Sequence, residues 1–245
     1  MPQDKKLTVL IPTSPIPSHP DTAILDETIA NIRKYTDAVI IIMADGVHES
    51  LAHRTKDYEA YLTRLEENVI IGKYGECNIV EFDSHTHQAT MTATILQAVK
   101  TPLLLFNEHD TSIIGDVPFK EICDLVEKEG NINYIRFNIF EQIPKEHEYL
   151  MIARCWHNDI PLTHTVQFSA RPHIAKTNWY RDILYTYFPK GKRTMIEDVL
   201  HGVVANKYND LKFDTFGLYI YTPEGNQLRS YHSDGRKSDE KIIEA

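Results

Sequence analysis

Short, uniformly apolar runs that stop at polar turns constrain this chain more than any other feature of its sequence. Three of them lie in the first half of the chain, L-T-V-L-I at 7–11, A-V-I-I-I-M-A at 38–44 and L-L-L-F at 103–106. Apolar strands without clean alternation are typical of a parallel sheet that is covered on both faces. Helical spacing of apolar residues follows each of these strands. The pattern therefore predicts βαβ units in an α/β fold.

Length and composition are those of an ordinary globular protein. The chain has 245 residues, of which 42% are hydrophobic and 25% charged, so it can form one large α/β domain or two small ones. The longest apolar run, 38–44, is far too short to span a bilayer, and residues 1–6 lack the layout of a signal peptide. Three widely spaced cysteines, Cys77, Cys123 and Cys155, indicate reduced thiols in a reducing compartment. A cytoplasmic protein without a transmembrane segment is predicted.

The charge balance argues against one class of partner. The formal net charge is -9, so a nucleic acid would be repelled on average, and no nucleic-acid partner is expected. Basic residues cluster only locally, at 190–193 and at 229–237.

The pattern of predicted strands changes along the chain. Strands are predicted next at 78–82 and 133–140, and then at 149–155, 163–169 and 213–221, where the pattern becomes mixed. We therefore expect one continuous domain over 1–228. Its first part, 1–116, would bind a nucleotide, and its second part, 117–228, would form the acceptor side, where a second substrate binds. The polar tail, 229–245, could be mobile.

The turn after the third apolar run carries two carboxylates with one residue between them. In an extended chain Glu108 and Asp110 would face the same side, with His109 turned away. Two hard oxygen ligands at the carboxyl end of a buried strand make a plausible corner for a divalent metal. A polar turn without function explains these four residues about equally well.

A second acidic pair opens a predicted helix whose apolar face is Met195, Val199 and Val203. Glu197 and Asp198 are adjacent on that helix, so their side chains diverge by about 100° and only one can point squarely into a cleft. Acidic residues are also favoured in the first turn of a helix by the helix dipole.

The order of these features resembles a GT-A glycosyltransferase of the family 2-like kind. The resemblance covers roughly 7–232, and its parts are L-I-P-T-S after the first strand, Asp45-Gly46 after the second, the carboxylate pair, and the later Glu-Asp pair. It implies a GT-A, Rossmann-like, mostly parallel central sheet flanked by helices, with a mixed acceptor-side region. It also implies transfer of a sugar from a nucleotide-sugar, with a UDP-sugar favoured over a GDP- or dTDP-sugar, to a glycan or other hydroxyl acceptor. Peripheral membrane contact is compatible with it.

The resemblance also implies roles on the donor side. Pro12, Thr13 and Ser14 would line the nucleotide pocket, and Asp45 would bind the base or ribose. Glu108 and Asp110 stand at the D-x-D motif, which binds Mn²⁺ or Mg²⁺; glutamate at the first position favours Asp110 for direct ligation. His232 would complete the metal site. The remaining donor contacts would come from the tail, which would act as a lid, through Arg229, Tyr231 and Arg236.

For the reaction, the resemblance implies an inverting hexosyl transfer with one carboxylate as general base. The family pattern favours Asp198 over Glu197 for that role. The metal would act as a Lewis acid on the diphosphate, and the base would take the proton of the acceptor hydroxyl.

Several other side chains have two readings. His85 and His87 would contact the donor sugar or, more simply, belong to a solvated loop, and Arg171 would point into the cleft or form a salt bridge elsewhere. Trp156 and Trp179 would stack on an acceptor sugar or pack in the core.

Two other functions compete with sugar transfer. A sugar nucleotidyltransferase shares the layout, but its glycine-rich loop after the first strand is absent from T-S-P-I-P-S-H-P at 13–20. A non-catalytic nucleotide-sugar or carbohydrate-binding module of the same fold is the other alternative, because fold alone does not decide function. The presence of Glu108, Asp110, Asp198 and His232 argues against it.

Overall fold

The computed structural model of the chain describes residues 6–139, 143–189, 193–225 and 227–233. The α-helices are α1 (Ala23–Ile32), α2 (Thr55–Ile70), α3 (Gln88–Leu96), α4 (Phe119–Lys128), α5 (Thr177–Tyr187) and α6 (Ile196–Leu211). The first strands are β1 (Leu7–Thr13), β2 (Val39–Ala44), β3 (Cys77–Glu81), β4 (Leu103–Phe106), β5 (Thr111–Ile113) and β6 (Tyr134–Phe137). The later strands are β7 (Met151–His157), β8 (Ile160–Thr165), β9 (His173–Lys176), β10 (Leu218–Tyr221) and β11 (Ser230–His232). Short 3₁₀ helices span Glu49–Arg54 and Lys145–Leu150.

Nine strands form one sheet in the order β3-β2-β1-β4-β9-β6-β10-β8-β7. The first four pair in parallel. From β9 onward the sheet is mixed, because β9 is antiparallel to both of its neighbours, whereas β6 and β10 are parallel to each other. The prediction of an α/β fold with a parallel first part and a mixed second part is confirmed.

Helices cover both faces of this sheet. In β1, Val9 and Ile11 pack into one core with α1, α2 and α4, whereas Leu10 packs into the other with α3, α5 and α6. In β4, Leu105 and Phe106 divide between the two cores in the same way. Successive side chains of a strand point to opposite faces, so both faces of these strands have to be apolar.

Strand β9 was not predicted and lies at the centre of the sheet. Arg171-Pro172 predicts a break, but a strand begins directly after it, at His173. The His173 ring is fully buried and stacks with the rings of Phe106 and Tyr180. Its Nδ1–H donates to the carbonyl of Arg171, and burial lowers its pKa to about 3, so the ring stays neutral.

The buried face of α6 differs from the prediction by one residue. Ile196, Leu200 and Val204 are buried, rather than the predicted face that begins at Met195. A shift of one residue turns a helix by about 100°. This rotation decides which acidic side chain of the first turn faces the interior.

Strands β5 and β11 form a separate two-stranded antiparallel sheet. Residues 229–233, which were assigned to the polar tail, are therefore anchored, and Ser230 is fully buried. The rest of that tail, 234–245, lies outside the described residues.

Two further sequence predictions concern the described part. The three cysteines form no disulfide, as predicted. In the described ranges, no helix is both long and apolar enough to cross a membrane.

Candidate active site

The turns that follow the three apolar runs of the sequence come together at one edge of the sheet. β1, β2 and β4 are parallel neighbours, so Thr13, Ala44 and Phe106 end at the same side. A cavity of about 460 Å³ opens there. Its lining includes most of the residues predicted to bind the donor or the metal, together with the catalytic candidate Glu197; the former are Pro12, Thr13, Ser14, Asp45, Glu108, Asp110 and His232.

The N-E-H-D segment is a hydrogen-bonded turn rather than an extended strand. Backbone N–H and hydroxyl of Thr111 both donate to the carbonyl of Glu108, and the Asn107 amide donates to the carbonyls of Glu108 and Thr111. Glu108 and Asp110 do line one cavity, as expected. His109 lines it as well, contrary to the prediction, because a turn does not alternate its side chains as a strand does.

The β5–β11 pair places His232 beside this turn. His232 lies opposite Thr111, and Ser233 donates from both its backbone N–H and its hydroxyl to the carbonyl of Asp110. The His232 Nδ1 atom lies 3.7 Å from Oδ2 of Asp110. Tertiary pairing thus brings together an imidazole and a carboxylate that are far apart in sequence.

The two carboxyl groups of the turn affect each other. The partly buried position of Glu108 raises its pKa to about 7, and the charge of Asp110 adds to that rise. The nearby His232 and Arg171 act in the opposite direction. A cavity that concentrates acidic groups in this way favours either a proton or a cation.

Asp45 lines the same cavity and stabilises a neighbouring loop. It is 3% exposed, and its carboxylate accepts hydrogen bonds from the backbone N–H groups of Thr86 and His87. Nδ1 of His85 lies 3.0 Å from Oδ2 of Asp45. Gly46 permits the close approach, since a Cβ atom there would lie 2.2 Å from the backbone of Ser84. Asp45 therefore holds the loop at 84–87 against β2.

Gln88 connects this loop, the carboxylate turn and helix α6. Its side-chain amide nitrogen donates to Oε1 of Glu108 at 2.9 Å, and its Oε1 accepts from the backbone N–H of Ile196 at 3.0 Å. The second bond satisfies one of the donors that a helix N-terminus leaves without an intrahelical partner. Gln88 thereby sets the start of α6 relative to Glu108.

We expect Gln88→Leu to lower the free energy of unfolding by about 2–4 kcal/mol, because it leaves two buried polar groups without their partner. Urea denaturation would measure the loss. Gln97→Leu, at an exposed position after α3, is the matched control and should change the free energy by about 0.5 kcal/mol or less. Equal stabilities of the two variants would contradict this structural role.

Glu197, and not Asp198, faces the cleft. Oε2 of Glu197 accepts hydrogen bonds from the backbone N–H of Ala170 at 2.8 Å and from the hydroxyl of Ser169 at 3.1 Å. Asp198 is exposed and lines neither this cavity nor the larger one next to it. The structure therefore places Glu197, rather than the expected Asp198, beside the cavity, because α6 buries the face that begins at Ile196.

A second cavity, of about 630 Å³, lies beyond Glu197 and Arg171. These two residues line both cavities. The larger cavity belongs to the mixed part of the sheet, with walls from β6, β7, β8 and β10. Arg171 is 9% exposed and lies at the junction, which agrees with the reading that it points into the cleft.

The structure places the other tail residues away from the 460 Å³ cavity at the ends of β1, β2 and β4, which is called the donor-side cavity below because the predicted donor-binding residues line it. Arg229 is 6% exposed and donates to the backbone carbonyls of Asp116 and Leu228. The hydroxyl of Tyr231 donates to Glu27 on α1. Both placements are contrary to the expectation that these side chains would cover a diphosphate. Arg236 lies outside the described residues.

No protein-family model matches this sequence, and no curated protein matches it in sequence. Solved structures do match. They include the mannosyltransferase PcManGT from Pyrobaculum calidifontis, in complex with GDP-Man and Mn²⁺, at a TM-score of 0.54 and 11% identity over 89% of this chain and 57% of that one. TarS 1-349 from S. aureus matches at 0.57 and 11% identity, over 94% of this chain and 61% of that one.

GalNAc-T7, solved with UDP, GalNAc and Mn²⁺, matches at a TM-score of 0.59 and 9% identity, over 93% of this chain and 43% of that one. This chain has the GT-A fold. It spans between 43% and 61% of the length of these three proteins. The fold that the sequence resemblance implied is therefore confirmed.

The side chains present fit the divalent ion that a GT-A site implies. Asp110 and His232 supply a carboxylate and an imidazole 3.7 Å apart, and Glu108 adds acidic character beside them. Among the described residues, no group of three or more His, Cys, Asp or Glu side chains is arranged to hold a metal by itself. Water or a bound ligand would supply the remaining oxygen atoms around an ion held by these side chains.

Some residues that line this cavity were missed from the sequence, and others were given less weight. His85 and His87 line the donor-side cavity, although a solvated loop was the favoured reading, and Gln88 was not singled out. The D-S-H-T-H loop at 83–87 follows a strand on the same edge as the other junctions, which is the signal that could have identified it. Gln88 carries no such signal, because its role depends on the position of α6.

Proposed function

We propose that the protein is a glycosyltransferase that moves a hexosyl group from a nucleotide-sugar to a hydroxyl acceptor. The observation that carries this proposal is the junction of the two cavities at Glu197 and Arg171. The smaller cavity has the acidic corner that suits a metal-bound diphosphate, and the larger one can accept a second substrate. A carboxylate stands between them.

On the donor side, Pro12, Thr13 and Ser14 line the cavity at the end of β1. We assign the nucleoside to this part of the cavity. Asp45 lines the same cavity, and its carboxylate keeps the loop at 84–87 in place, so it shapes this pocket through the loop as well as directly. A UDP-sugar is the donor we favour, with GDP- and dTDP-sugars as alternatives.

Asp110 and His232 would hold Mn²⁺ or Mg²⁺, with Glu108 next to them. A bound divalent ion would neutralise charge on the diphosphate and make it a better leaving group. Magnesium sites commonly combine one or two protein carboxylates with substrate phosphates, which agrees with the small number of protein ligands here. Arg171, at the junction, adds a positive charge to the same cavity.

Glu197 is the general base of the proposed reaction. It takes the proton of the acceptor hydroxyl while that oxygen forms a bond to the anomeric carbon, and the bond from that carbon to the nucleotide diphosphate breaks. The hydrogen bonds from Ala170 and Ser169 fix the orientation of the carboxylate before substrate binds. A single displacement of this kind inverts the anomeric configuration.

The two competing functions predict different behaviour. A sugar nucleotidyltransferase would bind a nucleoside triphosphate and a sugar phosphate, and it would release pyrophosphate. A non-catalytic binding module would bind a nucleotide-sugar without consuming it. The converging carboxylates Asp110 and Glu197 support the transferase over the binding module.

A screen of nucleotide-sugars for thermal stabilisation of the protein, called the donor screen below, tests the proposal directly. We expect one family among the UDP-, GDP- and dTDP-sugars to raise the melting temperature in the presence of Mn²⁺ or Mg²⁺, and not in EDTA. At a ligand concentration 100-fold above Kd, binding to the folded state adds about 2.7 kcal/mol, or about 5 °C for a chain of this size. Differential scanning fluorimetry measures the shift, with the free nucleosides as controls. No shift with any donor would contradict the proposed function.

A further inference from the structure

The larger cavity differs from the donor-side cavity in its charge. Among the described residues that line it, three are arginines, Arg136, Arg154 and Arg171, and one is a carboxylate, Glu197. The whole chain carries a formal net charge of -9, so this local excess of positive charge runs against its composition. Charge of one sign in a cleft raises the local concentration of oppositely charged ligands.

Arg136 is the half-buried arginine of this lining. It lies on β6, a central strand of the sheet, and its Nη2 atom donates to the side-chain carbonyl of Gln167. Its Nε atom is buried and has no hydrogen-bond partner in the described part of the chain. The hydrogen-bond acceptor of Arg136 is a neutral amide, so this bond does not neutralise the positive charge of the guanidinium.

Arg171 adds a second positive charge to this cavity, at its junction with the smaller one. Burial lowers the pKa of Arg136; the charge of Glu197 raises it, and the charge of Arg171 lowers it to a smaller extent. Arg136 and Arg171 line the same cavity, where their like charges repel each other. Glu197 carries one negative charge beside two guanidinium groups, so these three lining side chains together keep a net positive charge.

Carboxylate and phosphate groups match this arrangement. A guanidinium presents donors in a planar fork that binds either anion through two parallel hydrogen bonds, and such charge-assisted bonds are stronger than neutral ones. A bound anion between Arg136 and Arg171 would relieve their mutual repulsion. A neutral sugar hydroxyl would not.

We propose that the acceptor carries an anionic group, a carboxylate or a phosphate, that binds Arg136 and Arg171 in the larger cavity while its hydroxyl meets Glu197. This inference rests on the proposed transferase function and names the chemical class of its acceptor. The two arginines then select and orient the acceptor, and Glu197 receives the proton.

Pairs of neutral and anionic sugars test this proposal by isothermal titration calorimetry. The probes are glucose, glucuronate and glucose 6-phosphate, together with inorganic phosphate, each titrated with and without the nucleotide diphosphate from the donor screen. We expect at least one anionic sugar to bind wild type tenfold or more tightly than glucose. Glucuronate and glucose 6-phosphate separate carboxylate from phosphate recognition, and inorganic phosphate shows whether the anion alone is sufficient.

Arg136→Gln should lower the affinity for the anionic sugar at least tenfold, and Arg136→Lys should lower it less. Arg64→Gln, on the exposed face of α2, is the matched control and should bind like wild type. Arg136→Gln should keep its thermal shift with nucleotide-sugar, which separates loss of acceptor binding from loss of the donor site. The comparison of sugars on wild type does not depend on any variant folding.

Two results overturn the inference and leave the transferase function standing. One is equal binding of glucose and of both anionic sugars to wild type, including no binding of any of them. The other is unchanged anion binding by Arg136→Gln. Anion binding that depends on Arg136, combined with no binding of any nucleotide-sugar, overturns the transferase function and with it the assignment of the anion as acceptor.

Discussion

Replacing Asp110 with asparagine is expected to lower kcat/KM for sugar transfer by a factor of about 10³ or more, which corresponds to about 4 kcal/mol of transition-state stabilisation. Asp110 is 4% exposed and lies at the acidic corner of the donor-side cavity, beside His232. Asparagine has nearly the same shape but lacks the negative charge that would bind a divalent ion. Steady-state kinetics with the donor from the screen would measure the loss.

The fold should tolerate this substitution. The bonds that tie Asp110 to Ser233 use the backbone carbonyl of Asp110, which the substitution leaves unchanged. Asp116→Asn, at an exposed position outside both cavities, is the matched control and should keep wild-type kinetics. Asp110→Asn should also lose the metal-dependent part of the thermal shift. Kinetics within tenfold of wild type would make Asp110 a turn residue only.

Glu197→Gln is expected to lower kcat by a factor of about 10²–10⁴, the usual contribution of a general base. The amide oxygen of glutamine can still accept from Ala170 and Ser169, so the side chain should keep its position. The donor-induced thermal shift should also be unchanged, because the substitution removes a proton acceptor and leaves the metal corner intact. Single-turnover kinetics would separate this chemical step from product release.

Asp198→Asn is the decisive comparison, because Asp198 is adjacent in sequence and exposed. It should change kcat by a factor of about three or less, whereas Glu197→Gln should nearly abolish turnover. The reverse result would make Asp198 the base and would require α6 to turn on substrate binding. NMR analysis of the product tests the single displacement separately, and net retention of anomeric configuration would contradict it.

The parts of the fold that depend on local pattern could be predicted from the sequence. Leu103–Phe106 is a strand with the predicted bounds, since four apolar residues followed by a polar turn leave little choice. Helix α4 buries Phe119, Ile122 and Val126, as their spacing predicts. In contrast, β9 follows a proline, and its place between β4 and β6 is decided by pairing with strands distant in sequence.

The candidate site also has residues that could be predicted from the sequence and residues that could not. Glu108 and Asp110 were identified because the carboxyl end of a buried strand is where open α/β sheets bind their ligands, whereas Pro12, Thr13, Ser14 and Asp45 came from the resemblance to GT-A glycosyltransferases. The orientation of a side chain outside the strands did not follow from the sequence. His109 lines the cavity because its segment is a turn, and Gln88 matters because α6 begins beside it.

By itself, the sequence determined the α/β class, the parallel first half and the turns that carry the acidic residues, because these depend on interactions along the chain. Only the tertiary structure decided that Glu197 faces the cleft, that His232 lies beside Asp110, and that Arg229 lies outside the donor-side cavity. The first depends on which face of α6 packs on the sheet, and the other two on the pairing of β11 with β5. Adjacent residues on a helix or strand differ by 100° or 180° in direction, so packing that shifts an element by one residue changes which side chain enters the site.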